Sequence, residues 1–533
     1  MIDVLVIGAG GAGLTAAINA KESNSNVLII SKTHPTYSQT VQAQGGINAV
    51  LYENNDSISK HIEDTYQGSY KLSIKDNIEY ICKEARNSIL WLDSIGVPFN
   101  RDSNDNFSQR KFGGTKNIRT CYSSDYTGLK IIHTLYDQCI KNDIDFLCDY
   151  FLLDLIIEDN ICKGGIFLDI SSGEVKEILS KTTILATGGY AGIYKNNTTN
   201  SYSNSGDGIA VALRAGVKLS NMEFIQFHPT TLLDTNILIS ESARGEGGYL
   251  VDQNKIRFVN ELGSRDEVTN AIYKKIQKGD KVFLDLRHLR LNKIKELIPQ
   301  ERNLAYHFSN IKIENELLPI IPAAHYSMGG IKTDLHTKTN IDNLYACGEC
   351  SQASIHGANR LGGNSLLEII TFGKLAGLNA SKKAKEIKSF NTNQTHLEIN
   401  TKLINDIFNY PNKIDFYENK EIFSNEIFSK LGIFKTEKSI NDFIEILDEQ
   451  LSILNQMGIG DKSKYYNTNL VEFLEFINIL QISKVIALNA KNRKESRGSH
   501  NRLDYKESLK SYEKFSYTYF KNSKLEIGFE DIQ

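Results

Sequence analysis

The first apolar positions of the chain fall in a strand, turn, helix, strand order. Residues 3–7 (DVLVI) make a short continuous apolar run of the buried-strand type. Gly8, Gly10 and Gly13 then spell G-x-G-x-x-G, leading into an alanine-rich helical stretch, "LTAAINAKE", and a second apolar run, "NVLII", ending at residue 30. Alone the glycine pattern is weak; set between a strand and a helix it predicts a dinucleotide-binding turn. The glycines allow a tight turn and close backbone approach, and the helix N-terminus faces the pyrophosphate. The acid that usually ends the second strand of an NAD site is missing, because Ser31 and Lys32 stand there. That argues against a standard NAD site.

Two further apolar runs, "TTILATGG" (182–189) and "NLYACGEC" (343–350), read as strands returning to the same sheet. Between about 227 and 337 the pattern changes to mixed polar loops and short helices, as an inserted domain would. The Asn-rich stretch 389–400 reads as a linker. After it come amphipathic helical patterns, such as Leu470, Phe473, Leu474 and Ile477. The last thirty residues read as polar and irregular, and there is no internal repeat.

Composition narrows the class. At 533 residues, 41% hydrophobic and 23% charged, the chain reads as a soluble globular protein of several domains. A net charge of −3 leaves no broad electrostatic footprint for nucleic acid. The apolar N-terminus "MIDVLVIGAGGAGL" imitates a signal peptide, yet it lacks a basic n-region and carries Asp3 there. We therefore expect no targeting segment, no transmembrane helix and no direct membrane insertion. Seven cysteines without metal-ligand spacing fit free thiols in a reducing cytosol. Cys347 and Cys350 form a C-x-x-C without the context a redox motif needs. No metal site and no iron–sulfur cluster is expected.

Candidate chemistry lies in segments far apart in sequence: "RKFGGTKNIRT" (110–120), "QFHPTTL" (226–232), "ISESARGEGG" (239–248), "LGSRDEV" (262–268), "PAAHYSMGG" (322–330) and "IHGANRLGGNS" (355–365). A lone His or Arg is usually structural. Several of them combined with a dinucleotide turn suit a small dicarboxylate, since guanidinium binds carboxylate through a bidentate fork and imidazole adds a directional donor.

On these motifs, together with "AQGGI", "LDLRHL" and "RKESRGSH", the chain resembles the flavoprotein subunits of succinate dehydrogenase and fumarate reductase over nearly its whole length. The resemblance implies an α/β fold: a Rossmann-type FAD-binding domain (1–226 and 338–388), an inserted α+β capping domain (227–337), a C-terminal helical domain (398–504) and a tail (505–533). It implies Arg265 as proton donor to the substrate carbon, with Glu241 and Arg244 as the relay that reprotonates it. His228, His325 and Arg360 resemble the carboxylate ligands, and Phe112, Leu238 and Ser240 line the pocket; relatives often carry Thr where Ser240 stands. The matching FAD contacts are Gly8, Gly10, Gly11, Gly13, Ser31, Lys32, Gln39, Thr40, Gln44, Gly45, Gly46, Asp207, Glu349, Asn364, Ser365 and Leu366. Ser264 and Glu267 form a capping-box pattern that places Arg265 in a helix's first turn. The positive end of that helix disfavours a charged guanidinium by only ~0.3–1 kcal/mol. Burial and Arg244 must supply the rest.

Three questions stay open at this level. L-aspartate oxidase shares the fold and "HGANR", although "RKFGG", Gly362 and Gly363 fit the fumarate/succinate group better. A scaffold that has lost catalysis would show holes in the acid–base set, and none appears. Direction is contradictory: Gln44 matches dehydrogenases, whereas "RKFGG" and "DKVFLDLRHL" (280–289) look like reductases. In membrane-bound relatives a histidine carries FAD covalently, and aligning "PTYSQT" puts Gln39 at that position. A carboxamide nitrogen is no nucleophile, its lone pair being delocalised. The expectation is therefore noncovalent FAD and a lean towards fumarate reduction. The resemblance also implies an iron–sulfur subunit, a membrane anchor beyond it, and a cytoplasmic location peripheral to the inner membrane through those partners.

Overall fold

A computed structural model describes residues 1–53, 56–390, 392–521 and 524–532. The strand Ile2–Ile7 pairs in parallel with Val27–Ile30, and the helix Gly11–Glu22 connects them. The long strand Glu174–Leu185 flanks Ile2–Ile7 on its other side, also in parallel, with Val4 opposite Thr182 and Ile7 opposite Leu185. Asp145–Leu147 extends the sheet beyond Val27–Ile30, and Leu344–Ala346 adds a parallel strand beside Glu174–Leu185. Ile161–Asp169 and Tyr150–Glu158 continue it as antiparallel strands. Strands covered on both faces read as unbroken apolar runs, which is why Val4, Leu5, Val6, Ile29 and Ile30 are all buried.

The helix Asn364–Ala384 lies against Gly11–Glu22 at very short range. Gly377 makes this contact, because a Cβ there would sit 2.2 Å from the carbonyl oxygen of Ala16. The pair closes one face of the sheet over a core that includes Leu14, Ile18, Leu367 and Ile370.

The segment that breaks the strand pattern forms its own sheet. Ile225–Leu232, Leu318–Ser327, Val282–Asp285 and Tyr249–Asp252 pair antiparallel in that order. The helices Arg265–Gln277, Leu291–Leu297 and Pro299–Ser309 belong to this capping unit, whose core includes Leu232, Leu250, Val268, Ile272 and Leu284. Ile225–Leu232 carries the chain into the cap and Leu318–Ser327 carries it back, so both connections pass the same place.

Of the C-terminal helices, Glu437–Ile453 is amphipathic as expected, burying Ile440, Phe443 and Leu447, and the longest one departs from that pattern. Thr468–Asn492 buries Leu470, Phe473 and Leu474, but also Phe476, Ile479, Leu480 and Val485. Ile477 is only half-buried. The helix is covered on most sides, by Glu437–Ile453 and by the helix Asp207–Arg214 of the FAD-binding domain. Among the described residues no helix is long and apolar enough to cross a membrane.

The tail is not irregular. Lys514–Lys521 and Lys524–Asp531 form an antiparallel hairpin that joins Leu219–Ser220, Gly330–Lys332 and Ser351–Gln352 in a five-stranded sheet. Its inward positions include Ser516 and Thr518, which hydrogen-bond to Glu223 at 2.7 Å and Asn489 at 3.0 Å. Phe515, Tyr517 and Tyr519 alternate with Ser516 and Thr518, but the small polar positions are buried while the two tyrosines are half-buried, so hydrophobicity does not mark the inner face.

Gly377→Ala should destabilise the chain by about 1–3 kcal/mol, the usual cost of overpacking. A gain of about 1 kcal/mol in helix propensity does not offset this, because the atom met is a backbone carbonyl. The measurement is the urea midpoint, which should fall; an unchanged midpoint would show that the two helices separate freely.

Candidate active site

One large cavity runs from the glycine turn to the cap. At its outer end the turn is held by close contacts: Gly8 has φ +109°, and a Cβ on Gly13 would lie 1.9 Å from the carbonyl oxygen of Gly8. The helix Gly11–Glu22 starts at Gly10 with no side-chain cap and no acid in its first turn. The Gly11 N–H donates to Thr40 Oγ1 at 3.0 Å. An uncapped helix start walled by glycine is the donor set that a pyrophosphate needs, so these residues fit a dinucleotide such as FAD.

Gly8, Gly10, Gly11, Ser31, Lys32, Gln39, Thr40, Gln44, Gly45, Gly46, Asp207, Glu349, Ser365 and Leu366 all line the cavity. Gly13 and Asn364 do not. Gly13 serves helix–strand packing, and the buried Asn364 amide lies behind the wall, bonded to Asn48 at 2.9 Å and Thr65 at 3.0 Å. Lys32 is committed to the protein itself. Its ammonium lies 2.6 Å from Asp207 and 2.8 Å from Glu475. Burial opposes the Lys32 charge, but the two carboxylates raise its pKa above the ordinary lysine value. Glu349 accepts from the Ser327 N–H at 2.9 Å and its hydroxyl at 3.1 Å. Burial pushes its carboxyl up to about 7.

At the inner end the two domains meet. Glu267 reaches back to the Ser264 N–H at 3.1 Å, and Arg265 opens the helix Arg265–Gln277. The Arg265 Nε and Nη2 lie 2.9 and 2.8 Å from Glu241 Oε2, and its Nη1 donates to Gln226 Oε1 at 3.0 Å. Arg244 Nη2 is 3.9 Å from Glu241 Oε1, and Arg244 Nη1 donates to the Glu261 carbonyl at 2.5 Å. Three residues from two segments, Glu241 and Arg244 on one short helix and Arg265 opening another, thus form one buried chain of charges. Burial works against the Glu241 carboxylate, but Arg265 and then Arg244 hold it below its ordinary range.

His228 and His325 stand on facing strands with ring centres 5.0 Å apart. His228 Nδ1 lies 3.1 Å from the Thr230 carbonyl oxygen and 3.2 Å from the Thr230 nitrogen, contacts that fix the orientation of the ring. Burial, then Arg265, hold both imidazoles well below their ordinary range, so both are neutral donors at neutral pH. Burial and Arg265 also lower Arg360 to about 10. Phe112, Leu238, Ser240, Glu241 and Arg265 line the same end with His228, His325 and Arg360. Arg244 sits behind Glu241 instead of in the wall. With three guanidiniums, one carboxylate and neutral histidines, the end is built for a small anion carrying more than one charge.

Residues 3–366 match the family described as FAD binding domain, and residues 423–533 match the one described as Fumarate reductase flavoprotein C-term. The succinate dehydrogenase flavoprotein subunit of Rickettsia bellii is 37% identical, over 94% of this chain and 90% of that protein. The 8-methylmenaquinol:fumarate reductase flavoprotein subunit of Wolinella succinogenes is also 37% identical, over 99% of this chain and 90% of its own length. A solved E. coli quinol fumarate reductase chain superposes with a TM-score of 0.94 at 33% identity, covering 100% of this chain and 96% of that one. The chain belongs to the succinate dehydrogenase/fumarate reductase flavoprotein family. It is accordingly an FAD-dependent oxidoreductase subunit.

Family motifs gain physical reasons here. A Cβ on Gly113 would lie 2.2 Å from Glu241 Oε1, and one on Gly362 would lie 2.8 Å from Glu241 Oε2. The glycines of "RKFGG" and "RLGG" therefore make room for the Glu241 carboxylate. A residue the motifs contain but the sequence reading passes over is Gln226. Its Oε1 accepts from both Arg265 and Arg360, the latter at 3.1 Å. The signal was its spacing: on a strand, Gln226 shares a face with His228.

Gly113→Ala should lower fumarate reduction and succinate oxidation alike by about 10²-fold, because displacing Glu241 disturbs its contacts with Arg265 and Arg244. Flavin content, read from absorbance, should stay normal. Full activity would mean that Glu241 needs no fixed place.

Proposed function

We propose that this chain reduces fumarate to succinate with FAD held without a covalent bond. The observation that carries this is Gln39. Its Oε1 accepts from the Ser201 N–H at 3.2 Å and its Nε2 donates to Gln42 at 3.3 Å, within the cavity wall. An amide so placed has no nucleophilic lone pair to offer. The nearest histidine is otherwise engaged: His34 Nδ1 lies 2.8 Å from the Thr36 hydroxyl and Nε2 lies 3.3 Å from that of Tyr136.

In this family the covalent bond raises the flavin potential, which suits succinate oxidation. Without it the flavin is the stronger reductant, and each ~30 mV in a two-electron couple is worth about 1.4 kcal/mol. FAD held by the glycine turn and the cavity wall would supply hydride chemistry at one carbon of the alkene. Arg360, His228 and His325 hold the carboxylates and polarise the alkene in a closed, water-poor site. The Arg265 guanidinium gives a proton to the other carbon, and Glu241 and Arg244 return one to it along the chain of contacts. Electrons reach the site from an iron–sulfur partner, attached in turn to a membrane anchor.

Two measurements test this reading. Acid precipitation should leave the yellow colour in the supernatant; colour in the pellet refutes noncovalent attachment. Arg265→Lys should lose nearly all viologen-driven fumarate reduction while still binding dicarboxylate, and near-normal turnover would end the assignment.

A further inference from the structure

A buried pair of acids spans the boundary between the two domains beside this site. Asp125 precedes the helix Thr127–Lys141 of the FAD-binding domain, and Glu301 lies in the first turn of the cap helix Pro299–Ser309. Both have 0% of their surface exposed. The cap helix starts after Ile298, whose side chain cannot accept from the open N–H groups. Asp125 does so from the other domain: its Oδ2 accepts from Gln300 N at 2.6 Å and Glu301 N at 3.2 Å. These are the two amides that a helix's own N-cap side chain ordinarily serves.

Glu301 faces the site from the other side. Its Oε1 accepts from the Ser242 hydroxyl at 3.2 Å, and that hydroxyl lies 2.7 Å from the Ser240 hydroxyl in the pocket wall. Among the described residues Glu301 Oε2 has no hydrogen-bond donor of its own, and the carboxyl of Asp125 lies beside it. Arg110 and Tyr126 also face the pair. The Arg110 guanidinium donates to the carbonyls of Gly45 and Ser124, at 3.1 and 2.7 Å, and stacks on Tyr122 at 4.3 Å; Glu246 is its further acidic neighbour. It bonds to neither acid. Two adjoining carboxyls without water cannot both be ionised. Two N–H groups and the positive end of a helix point at Asp125, so the proton of the pair sits on Glu301. Burial, then Asp125, hold the Glu301 carboxyl well above the ordinary carboxylate range.

The inner end of the cavity lies under the cap and is lined by buried side chains, His228 1% exposed and Arg360 2%. On the dicarboxylate reading above, a ligand enters only when the cap moves away and separates Asp125 from the helix Pro299–Ser309. We propose that Asp125 and Glu301 form a one-proton latch between the domains, so that closing the cap over the pocket takes up a proton at Glu301 and opening it releases one.

The sign follows from linkage. With the cap open the Glu301 carboxyl meets water and ionises near the ordinary value of about 4. With it closed Glu301 keeps its proton. Between those two pKa values the closed state binds one proton more, so ligand affinity falls as pH rises, by at most about tenfold per pH unit. Glu301→Gln supplies a permanent N–H in place of the proton. Asp125→Asn keeps an acceptor at the helix end and removes the charge that holds the proton.

The test uses the FAD-loaded chain and malonate, a dicarboxylate with no alkene to reduce, with Kd followed against pH through the flavin spectrum. Affinity should fall more steeply in the wild type than in Glu301→Gln, by up to about one log unit per pH unit, and Asp125→Asn should be flatter too. Calorimetry of the wild type in two buffers of different ionisation enthalpy reads the proton directly, and needs neither variant to fold. Equal slopes in all three proteins, or no proton uptake by the wild type, overturn the latch. Should malonate not bind at all, the dicarboxylate reading falls, and the latch is judged from ligand-free hydrogen exchange at residues 300–309. Protection that weakens with pH beyond the intrinsic dependence in the wild type but not in Glu301→Gln supports it. Equal protection in both overturns it.

Discussion

The ion pair between Arg265 and Glu241 organises the inner site, because neither charge could stand in that space alone. Breaking one partner of a buried pair typically costs 3–5 kcal/mol, since the remaining charge is left without solvent. Everything around the pair respects that constraint. Gly113 and Gly362 leave space for the carboxylate, and Gln226 offers an oxygen to two guanidiniums that would otherwise repel. The two histidines stay neutral beside the excess positive charge. A site that is cationic but short of water is the one in which an entering dianion gains most.

The same logic explains why the domain boundary is so polar. Tyr70 of the FAD-binding domain donates its hydroxyl to Asp266, the residue after Arg265, and Arg497 donates to the Tyr70 carbonyl at 3.2 Å. Arg493, Glu223, Glu495 and Arg497 form a buried network that reaches the carbonyls of Tyr512 and Lys514, at 2.8 and 2.9 Å, and so fastens the tail. Hydrogen bonds and ion pairs set a single docking geometry where an apolar interface would slide.

How much of this could be read from residues alone depended on whether a signal was local. The glycine turn, the returning strands and the capping box at Ser264 and Glu267 are short-range patterns, and the structure contains each of them. The grouping of Arg265, Glu241, His228, His325 and Arg360 came from recognised motifs, as no periodicity links residues so far apart. Gln226 was hidden by being an ordinary amide in a strand. The tail hairpin was hidden because its inner face is Ser516 and Thr518, and the long helix looked amphipathic although it is covered by two domains. Asp125 and Glu301 were invisible for a related reason: a side chain that caps a helix in another domain carries no sequence spacing at all.

The contact of Lys32 with Asp207 and Glu475 bears on how the protein is made. The nucleotide cleft is begun by residues near the N-terminus, but its lysine is neutralised partly by a residue of the last long helix. Chains emerge from the ribosome N-terminus first, and early domains tend to fold as they appear. Here the early strands cannot finish their own cleft, because Glu475 lies near the end of 533 residues. The surroundings of Lys32 are therefore complete only once the last long helix has docked, so the two ends of the chain build one wall together.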